Sequence, residues 1–285
     1  MIESWNNCGS LYVVATPIGN LGDMTTRSVE ILRQVNCIAA EDTRHSAPLL
    51  HYFGITTPVV AYHGHNERTM TPVLVERMVA GESIALISDA GTPLLSDPGF
   101  QLVRAARERK LAVIPIPGVS AVVCALSVCG LPCDRFVFEG FLPAKEAARR
   151  THLESLRSEE RSLVFYESPY RLQETLADLA TIFGGERRAV LAREMTKIHE
   201  TFLCDTLAGL VTRVTSDPDQ RRGESVLIVD GAPETEATTR REAQARQIFE
   251  TLRKELSASR AVAIAAQITG TRKNLLYSML IEANE

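Results

Sequence analysis

The chain lacks any uninterrupted apolar stretch near the ~18 residues that a membrane span requires. Its opening, Met1 to Ser10, lacks the basic start and apolar core of a secretion signal, and together these absences set the expectation of a cytoplasmic protein. Six cysteines among 285 residues are too few for a disulfide framework at this length. Their one cluster, Cys124, Cys129 and Cys133, has no C-x-x-C spacing, so reduced core thiols are expected rather than a metal site. G-x-G-x-x-G, G-x-x-x-x-G-K-[ST] and G-x-S-x-G are all absent, which removes the usual phosphate cradles and the hydrolase elbow. Charge of one sign is also scarce: the net value of −4 excludes a general nucleic-acid coat.

What is present is ordinary for a soluble globular protein, 45% hydrophobic and 23% charged residues. A length of 285 residues exceeds the roughly 100–200 typical of one domain, so two domains are expected. The charge is unevenly placed. Residues 1–143 carry a net −3, residues 144–239 a net −4, and residues 240–285 a net +3 from 8 Lys/Arg against 5 Asp/Glu. Any nucleic-acid contact therefore needs local basic patches, such as Lys145, Arg149 and Arg150, or Arg187, Arg188, Arg193 and Lys197, or the C-terminal tail.

The first half alternates apolar strands with amphipathic helices. Leu11 to Ala15, Cys37 to Ala40, Ser83 to Ser88 and Ala112 to Ile116 read as strands. A helix capped by Thr25 or Thr26 and another opened by Pro98-Gly99 lie between them. Strands this continuously apolar predict a parallel sheet covered on both faces. In the second half, Phe136 to Phe138, Ser162 to Tyr166, Arg188 to Ala192 and Ser225 to Val229 read as strands, with a helix over Arg171 to Ile182. The charged helical segment Ala144 to Arg161 is expected to cover an edge or form a lid, and Gly231 to Thr239 to be a linker. Three short helices are expected beyond it, the last from Arg272 to Leu280, with Thr269-Gly270-Thr271 as a turn. The expected domains are 1–133, 134–232 and 240–285.

Three Gly/Pro loops follow expected parallel strands: Thr16 to Asp23, Asp89 to Asp97 and Pro117 to Ala121. Ligands of open α/β sheets bind at that edge. None of the three contains Lys, which suits a nucleoside-like ligand carrying its own positive charge. Glu41-Asp42-Thr43-Arg44 is dense in acid and base groups at a strand end, suiting either catalysis or an ion-pair network. His63-Gly64-His65 has no further ligand cluster, so no metal is expected.

At these residues a resemblance becomes specific. Leu11 to Asp23, Ala40 to Arg44, Ile87 to Gly99, Pro117 to Ala121, Tyr166 to Pro169 and Arg193 to Glu200 resemble the small-subunit ribosomal RNA cytidine-2′-O-methyltransferases of the tetrapyrrole methylase superfamily. The match spans about residues 10–230, and the C-terminal helices resemble the helix-turn-helix-like appendage of that subfamily. The resemblance implies an α/β, two-domain class III methyltransferase, S-adenosylmethionine in the cleft, a homodimer, and 16S ribosomal RNA of the 30S subunit as partner. Carried over by motif, the cofactor residues are Ile18, Asp89, Ala90, Gly91, Thr92, Pro93, Ser120 and Ala121, with Tyr166, Ala192 and Ser225 from the second domain. Other methylases of the superfamily commonly read Gly-Gly-Asp-Pro here, and Thr92 stands in place of that Asp. Ribose methylation needs a hydroxyl relieved of its proton. The candidate bases are Glu41, Asp42, Glu167 and Glu194, while Arg44, Arg193 and Lys197 suit phosphate or 2′-oxygen contacts. The alternatives are a small-molecule methylase of the same superfamily and a non-catalytic RNA-binding protein.

Overall fold

A computed structural model describes residues 8–274 and Leu276, with 234–241 described as backbone only. The first half runs β1 (Ser10–Val14), α1 (Thr26–Gln34), β2 (Cys37–Ala40), α2 (Thr43–Tyr52), β3 (Val59–Ala61), α3 (Glu67–Val79), β4 (Ile84–Ile87), α4 (Phe100–Glu108), β5 (Ala112–Ile116) and α5 (Ala121–Val128). Its strands form a wholly parallel sheet in the order β3-β2-β4-β1-β5. Alternate residues explain why both faces need cover. Leu11, Cys37, Ala39, Ile84 and Leu86 pack against Leu74, Met78 and Leu102 of α3 and α4. Val14, Ile38, Ala40, Ala85 and Ile87 pack on the other side, against Leu32 of α1 and Leu50 of α2.

The second half runs β6 (Phe136–Phe141), α6 (Glu146–Leu156), β7 (Ser162–Glu167), α7 (Leu172–Phe183), β8 (Arg188–Arg193), β9 (Thr201–Thr206), α8 (Leu207–Ser216) and β10 (Ser225–Val229). Its sheet has the order β6-β7-β10-β8-β9, in which only β6 and β7 pair in parallel. One face is covered by Leu153 of α6, Leu176 and Leu179 of α7, and Leu210 of α8. The other face, with Val164, Val190, Ala192, Val226 and Ile228, is covered by Val122, Ala125 and Leu126 of α5 together with Ile18. The two halves thus share a core, and α5 is the element that joins them.

Two expectations change. Of the two roles expected for the segment 144–161, covering an edge or forming a lid, the lid is excluded: α6 is the crossover between the edge strand β6 and its parallel neighbour β7, held down by Leu153 and by a buried Arg149 whose Nε donates to Asp178 of α7 at 2.8 Å. The linker expected at 231–239 is mostly helix, because α9 (Glu234–Leu252) starts there and leaves only a short connection after β10. The composition of this stretch reads as a loop, but Glu, Thr and Ala are tolerated in the first turns of a long helix. α9 packs on α10 (Ala258–Thr269) through Ala245, Phe249, Ala261, Val262 and Ala265, a cluster of its own. Gly270 ends α10 in the left-handed conformation. Of the helix expected over 272–280, Lys273, Asn274 and Leu276 are helical and the remainder lies outside the described residues. Among the described residues no helix is long and apolar enough to cross a membrane.

Candidate functional site

The carboxyl ends of β1, β2, β4 and β5 open onto a cavity of about 340 Å³, closed on its far side by β7, β10 and the β8–β9 connection. Small-molecule sites typically occupy roughly 300–1,000 Å³. The loops that form its floor are tied by their backbones. Thr16 N donates to Gly91 O at 2.8 Å and Gly91 N returns to Thr16 O at 3.0 Å. Gly91 sits at φ 80°, and a Cβ there would lie 3.4 Å from Ile18 Cγ2, so a side chain would be both strained and pressed against the cavity wall. Thr92 Oγ1 donates to Val119 O at 3.0 Å, joining the second loop to the third. The Thr92 hydroxyl is therefore spent on the protein's own backbone.

Of the residues expected to hold a cofactor, Ile18, Asp89, Ala90, Gly91, Thr92, Ala121, Tyr166 and Ser225 line this cavity. Pro93, Ser120 and Ala192 are not among its lining residues. Pro93 is buried in the turn beneath, and Ala192 points into the core under α5. Ser120, at the amino end of α5, has a buried Oγ without a hydrogen-bond partner beside Ala121. Ser225 Oγ donates to Glu167 O at 2.9 Å.

The acid and base candidates separate into three groups. Asp42 and Arg44 leave the site: Asp42 caps α2 through Arg44 N at 2.8 Å and pairs with the Arg44 guanidinium at 2.8 Å. That pairing holds the Asp42 carboxyl well below the usual carboxylate range. The Arg44 side chain, 90% exposed, faces a separate concavity with Leu21 and Tyr52. Glu41 stays, accepting Asp89 N at 3.3 Å, while Asp89 Oδ1 accepts Asp42 N at 3.1 Å. Burial pushes the Glu41 carboxyl up.

In the second half each acid already has a cation. The fully buried Glu167 carboxylate meets Arg171 Nη2 at 2.8 Å, Thr175 Oγ1 at 2.6 Å and Ser168 N at 2.8 Å, so it anchors the Ser168–Pro169 turn that lines the cavity. Glu194, at φ 51°, accepts Lys197 Nζ at 2.8 Å and Glu224 N at 2.9 Å. Burial would raise the Glu194 carboxyl, but Lys197 and the Glu224 amide outweigh it and hold the group below its ordinary value. Lys197 also meets Glu224 Oε2 at 3.0 Å, and its stem crosses Gly19, where a Cβ would lie 2.5 Å from Lys197 Cγ. Arg193 is turned away, donating to Thr201 Oγ1 at 3.1 Å and Arg222 O at 2.9 Å.

Leu95, Asp97, Phe141, Ser168, Pro169, Met195, Glu224 and Val226 also line the cavity and were not assigned from the sequence. Asp97, Ser168, Pro169 and Met195 sit inside motifs the sequence does display. Phe141 and Glu224 carried no signal, since only the meeting of the two sheets brings them in. Burial, with Glu41 and Asp89 nearby, pushes the Asp97 carboxyl up to about 6. Tyr166 packs on Phe138 and Phe141 with ring centroids 5.0 and 5.4 Å apart, and burial pushes its phenol up to about 12.

This donor set fits a cationic, nucleoside-like ligand. Ile18, Ala90, Ala121, Met195 and Val226 offer apolar walls for a flat ring. Glu41, Asp89 and Asp97 supply negative charge, the unpartnered Ser120 Oγ lies nearby, and Lys197, the only lysine or arginine lining the cavity among the described residues, is already engaged by two carboxylates.

Comparison with known proteins agrees with this architecture. Residues 10–211 match the family Tetrapyrrole (Corrin/Porphyrin) Methylases, and residues 239–284 match the RsmI C-terminal HTH domain. The chain is 53% identical over 278 residues to the ribosomal RNA small subunit methyltransferase I of Pseudomonas aeruginosa, covering 97% of this chain and 98% of that one. Identity to the protein of the same name from Escherichia coli O157:H7 is 47% over 277 residues, 97% and 96% of the two chains. Among solved structures, the methyltransferase CobJ superposes with a TM-score of 0.58 at 17% identity, over 79% of this chain and 95% of that one. The uroporphyrin-III C-methyltransferase of Thermus thermophilus, complexed with S-adenosylhomocysteine, gives a TM-score of 0.55 at 16% identity, over 78% and 97%. A parallel sheet whose loops join a second, mixed sheet around one cavity, together with near full-length identity of this order, places the chain in the tetrapyrrole methylase family, among the ribosomal RNA small subunit methyltransferase I proteins.

Proposed function

We propose that the protein transfers a methyl group from S-adenosylmethionine to the ribose 2′-hydroxyl of a cytidine in 16S ribosomal RNA. The observation that carries this reading is the 53% identity to a ribosomal RNA small subunit methyltransferase I over 97% of the chain. The acid-floored, lysine-poor cavity supports it independently. When bound, the cofactor supplies a methyl group already activated by a sulfonium centre.

The chain's own residues then have distinct tasks. Ile18, Asp89, Ala90, Gly91, Thr92 and Ala121 form the floor that receives the cofactor, with Tyr166 and Ser225 opposite. Pro93 and Ala192 shape that floor from behind, and the Ser120 hydroxyl offers a free hydrogen-bonding group beside it. Holding the two reactants in line supplies up to ~7–11 kcal/mol in favourable intramolecular cases. Glu167 and Arg171 keep the Ser168–Pro169 wall in place, while Lys197 bridges Glu194 and Glu224 and closes over Gly19.

The substrate form in this reading is the assembled 30S subunit. A chain with net charge −4 suits recognition of a folded particle rather than of free strands. The appendage, with its net +3 and its own core, acts as an RNA anchor, and a homodimer in the cytoplasm completes the reading. The test is mass mapping of the methylated nucleotide after incubating small subunits, or their isolated RNA, with labelled cofactor. Label on a cytidine ribose of assembled subunits is expected. Label on a base, or equal rates on naked RNA, overturns the corresponding part. Truncation after Ala232, where α9 has not begun, is expected to leave cofactor binding intact and to weaken methylation of subunits.

A further inference from the structure

We propose that Asp97 is the proton acceptor of the reaction, its carboxylate taking the hydroxyl proton as the ribose oxygen attacks. This rests on the methyl-transfer reading above and names a residue to which the family resemblance assigns no role.

Three observations lead there. The first is backbone geometry. Asp97 reaches the cavity from a turn in which Leu94 and Ser96 both adopt left-handed conformations, φ 76° and 67°. Such conformations cost about 1–3 kcal/mol each and persist where surrounding structure enforces them. Here Ser96 is set against β6 of the opposite sheet, where a Cβ on Gly140 would lie 2.8 Å from Ser96 Oγ. Leu94 is wedged beside Gly99, where a Cβ would lie 3.1 Å from Leu94 Cδ1. The turn is thus fixed from both halves of the molecule.

The second is elimination by partner. Glu167 is neutralised by Arg171, Glu194 by Lys197, and Asp42 by Arg44 outside the cavity. Glu41 and Asp89 each accept a backbone amide, from Asp89 and Asp42 respectively. Asp97 has the Ser88 hydroxyl as its hydrogen-bonding neighbour and pairs with no cation among the described residues.

The third is the electrostatic setting. Glu41 and Asp89 face Asp97 from the ends of β2 and β4, and Tyr166 faces it from β7. His45 and His63 stand near Glu41, and the Lys197, Glu194 and Glu224 group lines the same cavity. Burial first, and then the like charges of Glu41 and Asp89, make Asp97 a stronger base than an exposed carboxylate, yet ionised at neutral pH. In the step, the oxygen bonds to the methyl carbon and the carbon–sulfur bond breaks with its electron pair left on sulfur. The proton moves to Asp97 Oδ, so atoms and charge balance.

The experiment pairs a direct titration with kinetics. In wild-type protein without cofactor, carbon-detected NMR of aspartate carboxyls is expected to show one group titrating near 6, absent from Asp97→Asn. Calorimetry is expected to show only a few-fold loss of cofactor affinity in Asp97→Asn, since Glu41 and Asp89 still line the cavity, while kcat on small subunits falls about 10²–10⁴-fold and the acidic limb of the pH–rate profile disappears. Asp97→Glu is expected to recover part of the rate. An aspartate signal confined to the ordinary range overturns the proposal without reference to any variant. So does wild-type kcat in a folded Asp97→Asn, or a loss of cofactor affinity at unchanged kcat. A wild-type protein that binds cofactor yet methylates no ribosomal RNA overturns the reading beneath the proposal as well.

Discussion

The two halves line one cavity with opposite electrostatic habits. The parallel half contributes Glu41, Asp89 and Asp97, none of which meets a cation among the described residues. The mixed half contributes Glu167 and Glu194, each bound to a cation within 2.8 Å. The difference follows from how the loops are made. Turns at the ends of parallel strands are short, rich in Gly and Pro, and lack lysine, so their acids stay uncompensated. The antiparallel half places its acids at strand ends next to Arg171 and Lys197, three or four residues further along the chain. One half therefore offers charge to a ligand, and the other offers a rigid wall.

The sharpest way to break the comparison is to fill the parallel half's floor. Gly91→Val puts a branched side chain at φ 80° against Ile18. It is expected to lower S-adenosylmethionine affinity about 100-fold or more, a loss of about 2.7 kcal/mol, by calorimetry on protein that still folds. Unchanged affinity would remove these loops from the site. The next largest effect belongs to the wall. Glu167→Gln leaves Arg171 unpaired, and because Arg171 retains some solvent the cost should sit near the lower end of about 3–5 kcal/mol in denaturant unfolding. A loss within error would mean the pair is not what holds the Ser168–Pro169 turn.

Two smaller effects should carry opposite pH signs. Lys197→Met removes the cation beside Glu194 and should cost about 0.2–1 kcal/mol, since its partners are partly solvated. The Glu194 carboxyl lies below its ordinary value in the folded protein, so the stability it contributes is present at neutral pH and fades as pH falls through its folded value. The variant and wild type should accordingly converge in Tm on acidification. Asp97→Asn should do the reverse in sign. With a folded value of about 6 against 3.8 in the unfolded chain, the wild-type carboxylate lowers stability as pH rises through that window. The variant should melt slightly higher at pH 7.5, and the advantage should shrink toward pH 5. If both variants shift Tm in the same direction at neutral pH, the contrast between the halves is wrong.

Much of the parallel half was legible in the sequence. The strands Cys37–Ala40 and Ala112–Ile116 lie where the apolar runs place them, and Thr25 caps α1 through Ser28 N as its residue type suggests. β10 at Ser225–Val229 was equally plain in the other half. Helices α2 and α3 were not, because Pro48 and Pro72 interrupt patterns that packing against the sheet nevertheless sustains. The edge strand β9 gave no clear alternation, while the short helix α8 after it does carry Leu207, Leu210 and Val214 at helical spacing, a signal not assigned from the sequence. Of the candidate site, the loop residues were readable because a strand end followed by Gly and Pro marks a ligand edge. The roles of the charged residues were not. Asp42 and Glu194 are chemically alike in sequence, yet one caps a helix outside the cavity and the other lines it.

By itself the sequence determined the parallel sheet, the three loops at its carboxyl edge and the scarcity of cations there. Backbone preference and hydrophobic period are local properties that survive without knowledge of neighbours. Only the tertiary structure decided that α5 would cover the second sheet, that Phe141 and Glu224 would face the first half's loops, and which carboxylates would be neutralised. A carboxylate's charge state depends on burial and on groups distant in sequence. Asp97 faces Tyr166 across 69 positions because two sheets close on one cavity, and no periodicity in the chain encodes that meeting.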